Sequence, residues 1–267
     1  MDAAEADVEI AMLTSPEDCA ELARVLADVW GFFEASAVAS ADTLRAMSYS
    51  GCYVAGVRVD GRLIGGGFGW PTHVVLSEGV TEWRLHSHVI GFLDGFRAMG
   101  LGAGIKHHQR DYVRGQGMAA IEWTYDPLHA ANSRFNLVKL GARVVSFHND
   151  FYGTLEDEFS AGLGSDRFVV RWGVDDEPPP QRRVADEPDR QPILLVGGDG
   201  SPVVNEATGP AVFAELPANI VNIRKSDKAL ALEWRDAFDQ TVGREVRAGA
   251  TVVGLSTELA YLIDRPS

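Results

Sequence analysis

The feature that most constrains this chain is a glycine-rich turn, Gly100-Leu101-Gly102-Ala103-Gly104, which lies between an apolar run and a helical segment. Residues 84–93 have the apolar character of a strand, and residues 101–114 have the spacing of a helix. The first backbone N–H groups of a helix have no intrahelical partner, and the helix dipole adds partial positive charge there. Glycines remove the Cβ atoms that would keep a phosphate away. The turn therefore predicts an anion-binding site.

The spacing of the turn excludes two common phosphate-binding motifs. The sixth position is Ile105, so the turn is not the GxGxxG of a dinucleotide site, and it has no GK[ST] of a P-loop. Strands and hairpins precede the turn, whereas a Rossmann domain usually opens with a βαβ unit. A Rossmann-type oxidoreductase that binds NAD(P) is thus the weakest of the functional hypotheses.

Patterning around the turn predicts an α+β (α/β) fold. Ser15-Pro16 is a helix start, Asp60-Gly61 is a hairpin turn, and Gly141 is a helix end. The three glycines at 65–67 indicate either tight packing or a surface that faces a ligand. Strands are expected at 7–12, 52–59, 62–70, 84–93, 119–125, 144–151 and 168–172, and helices at 16–30, 42–48, 101–114 and 132–140.

Composition divides the chain into three parts. Residues 175–191 contain four prolines and no aromatic side chain, which predicts an exposed or disordered linker. Residues 1–174 form the main domain, and residues 192–267 form a small α/β extension. Within the extension, strands are expected at 193–196, 211–216, 251–255 and 259–263, and a helix at 227–240. We expect the extension to pack on the main domain or on a second copy of the chain, the latter giving a homodimer.

Charge and cysteine content limit the partners and ligands that can be expected for this chain. The 267 residues carry a net charge of −14, which argues against nucleic acid and anionic membranes as partners. No apolar run is long enough to span a bilayer, and the acidic N-terminus does not resemble a signal peptide, so a cytoplasmic location is expected. Cys19 and Cys52 lack metal-ligand spacing, so we expect free thiols and no metal.

The order strand, Arg97-x-x-Gly100-x-Gly102-Ala103, helix, strand, Asn132, Gly141 resembles the GNAT superfamily, the GCN5-related N-acetyltransferases. The resemblance covers roughly residues 8–172. It implies a mixed, mostly antiparallel central sheet flanked by helices. Longer strings such as 86–88 (HSH) and 101–106 (LGAGIK) resemble an uncharacterised branch of the superfamily. That branch is expected to carry a C-terminal extension with a Trp-Arg pair, and Trp234-Arg235 matches it.

The resemblance also implies acetyl-CoA or another acyl-CoA as co-substrate. Its pantetheine arm would pair with backbone where the central strand ends, and Asn132 would contact this arm or the reaction centre. Lys106 and its neighbours His107, His108 and Arg110 either form a solvated helix face or meet the nucleotide phosphates. The residues expected at the cofactor are Phe92, Leu93, Arg97, Gly100, Leu101, Gly102, Ala103, Gly104 and Asn132.

Candidate catalytic groups lie on the neighbouring strands. Strand alternation places His86 and His88 on one face, and Glu122 lies on the next strand; each is a candidate base for removing a proton from an amine. In many GNAT proteins a tyrosine four residues before the helix-ending glycine protonates the thiolate, but this chain has Leu137 there. Tyr125 and Tyr152 are the candidate replacements, unless the thiolate leaves unaided.

These features predict an N-acyltransferase. It would move an acetyl, succinyl or similar group from acyl-CoA to the amine of a small molecule, for example an amino acid, by direct attack in a ternary complex. No Cys or Ser lies in a nucleophile motif, which disfavours an acyl-enzyme. The alternatives are an acyl-CoA-binding sensor or scaffold without turnover, which Leu137 favours, and an O-acyltransferase.

Overall fold

The protein is described from a computed structural model that covers residues 6–32, 34, 36–96, 99–153 and 163–266. Its contacts divide it into two compact units, residues 1–123 and 124–267. This division groups residues 124–174 with the extension, whereas composition predicts a linker at 175–191.

The first unit is built on a mixed sheet whose strands follow the order β1-β2-β3-β4-β5. Neighbouring strands are antiparallel except for β4 and β5, which are parallel. The fold class expected from the sequence, a mostly antiparallel sheet flanked by helices, is confirmed. The strands are β1 (Val8–Met12), β2 (Tyr53–Val59), β3 (Arg62–Ser77), β4 (Val80–Phe92) and β5 (Ala120–Tyr125).

The sheet is covered by the helices α1 (Pro16–Val29), α2 (Ala41–Tyr49) and α3 (Leu101–Gly115). The predicted cap of α1 is present, because Ser15 Oγ accepts a hydrogen bond from the backbone N–H of Asp18 at 3.0 Å. Helices α1 and α2 pack around Phe68 in an apolar core. Helix α3 lies on the opposite face, where its side chains contact Ser87 of β4.

The β3–β4 hairpin is longer than the sequence predicts. β3 continues to Ser77, past residue 70, where the predicted strand ends. The ladder between β2 and β3 stops at Tyr53↔Gly69, so Pro71 lies where β3 has no β2 partner and its missing N–H breaks no bond to β2. The hairpin then turns at Gly79, which has a φ of 75°.

The glycines of β3 are required by close packing. A Cβ atom on Gly66 would collide with the carbonyl oxygen of Ala55, and one on Gly67 would collide with that of Val89. The tight-packing interpretation therefore accounts for the glycine run.

The second unit begins with a helix and a hairpin. Helix α4 (Ala130–Ser133) continues into a π-helical turn, Arg134–Leu140, which ends at Gly141 with a φ of 79°. The predicted helix and its glycine stop are thus confirmed. Strands β6 (Arg143–His148) and β7 (Arg167–Gly173) form an antiparallel pair.

The extension contains a five-stranded sheet in the order β11-β12-β10-β8-β9. Its predicted strands and main helix are present, but β9 and α5 were not predicted, since three and seven residues give weak periodicity. The elements are β8 (Gln191–Val196), β9 (Pro202–Val204), β10 (Ala211–Glu215), α5 (Ile220–Ser226), α6 (Lys228–Phe238), the π-helical turn Asp239–Gly243, α7 (Arg244–Arg247), β11 (Thr251–Leu255) and β12 (Ala260–Asp264).

The proline-rich segment before β8 is held by specific contacts. Arg190 is buried and donates hydrogen bonds to the carbonyl oxygens of Val212 at 3.3 Å and Ile263 at 2.9 Å. Glu187 bonds both Arg182 and Arg190. Most of residues 175–191 are exposed, while Arg190 is buried because it satisfies carbonyl groups of the extension's sheet.

Candidate active site

The parallel strands β4 and β5 pair over three residues only. Arg84, Leu85 and His86 face Ala120, Ile121 and Glu122, after which the ladder stops while β4 continues to Phe92. The β5-side edge of residues 87–92 therefore extends past the end of the ladder with β5. An extended ligand with amide groups can pair with such an edge, as peptides do when they add to a sheet.

The N-terminus of α3 has the features of an anion site. Gly100 caps the helix with a φ of 74°, and no side chain accepts from the first turn. Within the part of the chain that the structure describes, a Cβ atom on Gly100 would meet no heavy atom within 4 Å, which leaves space beside the turn. The N–H of Ala103 already bonds the Gly100 carbonyl at 3.0 Å. The N–H groups of Leu101 and Gly102 are those that a helix leaves for an outside acceptor.

The other predicted cofactor residues lie in varied surroundings. Leu101 and Phe92 are buried, and the backbone N–H of Leu93 donates to Ile64 O at 2.9 Å. A Cβ atom on Gly104 would lie 3.1 Å from Cδ1 of Ile10, so this glycine lets α3 approach β1. Gly102 and Ala103 lie in the first turn of α3, Arg97 lies outside the described residues, and Asn132 is exposed on α4 of the second unit.

A β-bulge in β4 brings two imidazoles together. Phe68 pairs with Val89 and Gly69 pairs with Ser87, so His88 is an extra residue on β4. The His86 and His88 rings lie 5.8 Å apart, and both stack on Trp70, at 4.8 and 5.0 Å. Bulges often redirect side chains beside active sites. The predicted common face of the two histidines is present, but the bulge that shapes it was not predicted.

Burial keeps both imidazoles neutral near pH 7. It lowers the pKa of His86 to about 4, and repulsion from the protonated forms of His88 and Lys106 contributes in the same direction. Burial also lowers the pKa of His88, whose side chain is the more exposed of the two. A neutral imidazole can accept a proton, so each histidine is in the form that a general base requires.

Glu122 is anchored beside the histidines. Its Oε2 accepts from Arg84 Nη1 at 2.8 Å, and Arg84 Nε also donates to Glu82. Glu122 is the ladder partner of His86, so the carboxylate lies next to the imidazole pair on the same face of the sheet. Among the residues that the structure describes, no group of three His, Cys, Asp or Glu side chains is arranged to hold a metal ion.

A buried polar cluster on the opposite face was not predicted. Lys106 is 4% exposed, donates to Ser87 Oγ at 3.0 Å and lies 3.6 Å from the centre of the Trp123 ring. Gln109 Nε2 donates to the same hydroxyl. The solvated-face and phosphate interpretations of Lys106 are therefore wrong. Its spacing of three and seven residues before buried Gln109 and Val113 was the available signal.

The hydroxyl of Tyr125 belongs to a buried hydrogen-bond network in the second unit. Its hydroxyl lies 3.2 Å from that of Tyr261, which bonds Ser133 Oγ and donates to Pro127 O, both at 2.7 Å. Burial raises the pKa of Tyr125. Leu137, at the usual position of the GNAT acid, is also buried.

Tyr152 is the accessible tyrosine among the two candidates. It is 37% exposed, and its hydroxyl lies 3.1 Å from Thr124 Oγ1. Its backbone N–H donates to Ser165 Oγ at 2.8 Å, and the Arg167 guanidinium lies 5.6 Å from the ring centre. Tyr152 therefore has a fixed backbone and a hydroxyl that a ligand can reach.

Comparison with known proteins identifies the fold. No protein-family model matches the chain, and no curated protein matches it. A proposed acetyltransferase from Acinetobacter baylyi ADP1 is 13% identical and aligns over 67% of this chain and 98% of its own, with a TM-score of 0.50. A GNAT-family acetyltransferase from Streptococcus pneumoniae is 14% identical over 62% of this chain and 99% of its own, with a TM-score of 0.47. The Salmonella typhimurium protein yncA, a proposed acetyltransferase solved with acetyl-CoA, is 14% identical over 65% and 98%, with a TM-score of 0.47.

Three features occur together on a mostly antiparallel sheet: the early end of the β4–β5 ladder, the bulge in β4 and the glycine cap of α3. With the Acinetobacter baylyi likeness, these features define the class: the chain has the GNAT fold. About a third of the chain lies outside that likeness.

Proposed function

We propose that this protein is an acyl-CoA-dependent N-acyltransferase that acts on a small amine. The observation that carries the proposal is the early end of the β4–β5 ladder at His86↔Glu122, together with the N-terminus of α3, where Gly100 is the cap residue and provides no side-chain hydrogen bond. One feature suits an extended amide-bearing arm and the other suits a pyrophosphate, and coenzyme A carries both groups in one molecule.

In this proposal the cofactor is held mainly by backbone. The pantetheine arm pairs with the edge of β4 up to Phe92 and Leu93, and the pyrophosphate accepts from the first N–H groups of α3. Gly100 and Gly102 allow the phosphates to approach. Asn132 and Arg97 retain the roles that the GNAT resemblance implies for them.

His88 is the better candidate base of the two histidines. A general base works best when its pKa is close to the working pH, and His86 is displaced to about 4. His88 also lies at the bulge and is the more exposed. His86 then supports the His88 ring by stacking with it on Trp70, while Glu122, fixed by Arg84, orients a water or the amine.

The reaction is a direct transfer. The neutral amine nitrogen attacks the thioester carbonyl carbon, a C–N bond forms, the C–S bond breaks, and CoA leaves as a thiolate. His88 takes the proton lost by the amine, directly or through water. Tyr152 donates its hydroxyl proton to the thiolate sulfur. Tyr125 is disfavoured as the acid, because its hydroxyl is buried in a network with Tyr261.

Cofactor binding is tested by thermal stabilisation. Acetyl-CoA or succinyl-CoA should raise the melting temperature, and NADPH should not. Gly102→Glu should abolish the shift, because it places a negative charge where the phosphates bind. Gly115→Glu is the matched control at the other end of α3, where a Cβ atom meets nothing within 4 Å, and it should keep the shift. The proposal fails if no CoA thioester stabilises the wild type.

Turnover is tested by thiol release from both thioesters across panels of amines and alcohols. His88→Gln should reduce kcat/KM by roughly 10²–10⁴-fold while CoA still stabilises the variant. His73→Gln is the matched control, because His73 stacks on Trp83 at 4.9 Å much as His88 stacks on Trp70. Release with alcohols alone would indicate O-acyl transfer. Stabilisation by CoA without release from any pair would favour the sensor, an alternative that Leu137 supports.

A further inference from the structure

Hydrogen bonds join residues 150–152, which include Tyr152, to residues 165–166, which precede β7. The N–H of Asp150 donates to Asp166 Oδ1 at 3.0 Å, and the N–H of Ser165 donates to Asp150 Oδ1 at 3.2 Å. Ser165 is buried, and it accepts from the backbone of Phe151 and, through Oγ, of Tyr152. The backbone position of Tyr152 thus depends on the Asp150–Asp166 pair.

One guanidinium from the extension binds both of those aspartates. Arg235 Nε and Nη2 form two bonds to the carboxylate of Asp166, at 2.9 and 2.8 Å. Arg235 Nη2 also lies 2.8 Å from Asp150 Oδ1. A planar guanidinium suits this geometry, and the two carboxylates hold the pKa of Arg235 well above its ordinary value.

Without that cation, the two carboxylates would repel each other across the network. Asp150 has a positive φ of 46°, a conformation that a non-glycine residue keeps only when its surroundings hold it. Gly164 also leaves no room for another arrangement, because a Cβ atom on it would collide with Asp150 and with the Arg235 guanidinium.

Arg235 is itself rigidly mounted. The preceding residue, Trp234, is fully buried, and its indole Nε1 donates to Gly200 O at 3.0 Å. Both residues lie on α6, whose first turn is capped by Asp227. Within this unit, buried Trp234 therefore fixes the part of α6 from which Arg235 reaches Asp150 and Asp166.

We propose that Arg235 is a positioning residue for Tyr152, and that the C-terminal extension is therefore part of the acyl-transfer apparatus. This inference rests on the proposed function, in which Tyr152 protonates the leaving thiolate. Arg235 does not touch the reacting atoms; it holds Asp150 and Asp166 so that the Tyr152 hydroxyl lies where the thiolate forms.

The test is a double-mutant cycle measured with acetyl-CoA and the best amine of the panel. Arg235→Gln should lower kcat by roughly 10–100-fold, as expected for a misplaced catalytic group, with little change in the KM for acetyl-CoA. Tyr152→Phe should lower kcat by at least as much. The double variant should be no slower than Tyr152→Phe alone, because Arg235 acts through Tyr152.

Arg265→Gln is the matched control for stability. Arg265 makes an equivalent two-bond pair with Glu245, at 2.8 and 2.7 Å, and its side chain is 19% exposed against 24% for Arg235. It should lower the melting temperature to a similar degree but leave kcat unchanged. Arg235→Lys, which keeps the charge and loses the fork, should fold like the wild type and show an intermediate kcat.

Each outcome decides between the two proposals. Absence of wild-type turnover would overturn the proposed function, and the role of Tyr152 with it. Wild-type turnover combined with multiplied effects in the double variant would overturn the positioning role alone. An equal loss of kcat in Arg235→Gln and Arg265→Gln would show that Arg235 supports stability only.

Discussion

The amine of Lys106 is buried next to uncharged groups. Its amine donates to the hydroxyl of Ser87 and lies over the ring of Trp123. Neither group compensates for the loss of hydration that a buried charge suffers, and burial lowers the pKa of Lys106 well below 10.5. The residue therefore weakens the fold at neutral pH.

Lys106→Met should stabilise the protein. A methionine fills a similar volume, and removing an amine whose protonated form is destabilised by burial should raise the free energy of unfolding by about 1–3 kcal/mol at pH 7. Between the lowered folded pKa and the unfolded pKa of about 10.4, the unfolded chain binds more protons at Lys106 than the folded chain does. Wild-type stability at this residue thus recovers as the pH rises, and the gain from Lys106→Met should shrink towards pH 10.

Urea unfolding at pH 7 and pH 9.5 measures this effect. Lys228→Met is the matched control, because Lys228 is exposed on α6 and should change stability little at either pH. A destabilised Lys106→Met at pH 7 would show that the amine makes a net favourable contribution.

The side chains of the candidate site show how far individual residues can be interpreted from the sequence. Residue types suggested His86, His88 and Glu122 as candidates, and alternation placed the two histidines on one face, where their rings lie 5.8 Å apart. Sequence did not reveal that Arg84 fixes Glu122, because the pair is separated by 38 positions. It also misjudged Lys106, since a lysine on a helix is usually solvated and only its spacing marked the buried stripe.

At the scale of elements, local patterns predicted most strands and helices, and non-local pairing determined the remainder. Periodicity does not encode the bulge at His88, which arises because β3 and β4 change register between Phe68 and Gly69. The length of the hairpin depends in the same way on pairing across residues 71–83. These are the features that shape the imidazole face of the site.

The glycine run of β3 gives a prediction about this hairpin. Gly67→Ala should destabilise the protein by about 1–3 kcal/mol, because the new methyl group collides with Val89 O and Ile90. Since those residues flank the bulge, turnover should fall as well. Gly115→Ala is the matched control: it meets nothing within 4 Å at the end of α3 and should be neutral or gain up to about 1 kcal/mol.

Urea unfolding and thiol-release assays on the two alanine variants provide the measurement. Equal stabilities for Gly67→Ala and the wild type would mean that β3 can move away from β4 without cost. Close packing would then not explain the glycines, and a surface that faces a ligand would be the better interpretation of residues 65–67.

At the scale of the whole molecule, composition predicted a boundary at residues 175–191 and an extension that packs on the main domain or on a second copy, and packing joins the extension to the strands that precede it. In the second unit, Phe147 and Phe168 of the β6–β7 hairpin contact Phe238 of α6, each at 5.8 Å between ring centres. Phe168 also lies 5.4 Å from Tyr261 of β12. Composition could not predict this shared core, because a proline-rich segment between two apolar regions looks the same whether it is ordered or not.

Phe238→Ala should therefore destabilise the entire second unit. The ring is fully buried among aromatic side chains from both parts, and its removal should lower the free energy of unfolding by about 3–5 kcal/mol. Leu232→Ala, on the same helix but 42% exposed, is the matched control and should change stability little. Hydrogen exchange on the Phe238→Ala variant should show faster exchange in β6 and β7 as well as in β10 and β12. Faster exchange confined to residues 191–266 would mean that the extension folds independently, and it would contradict the shared core.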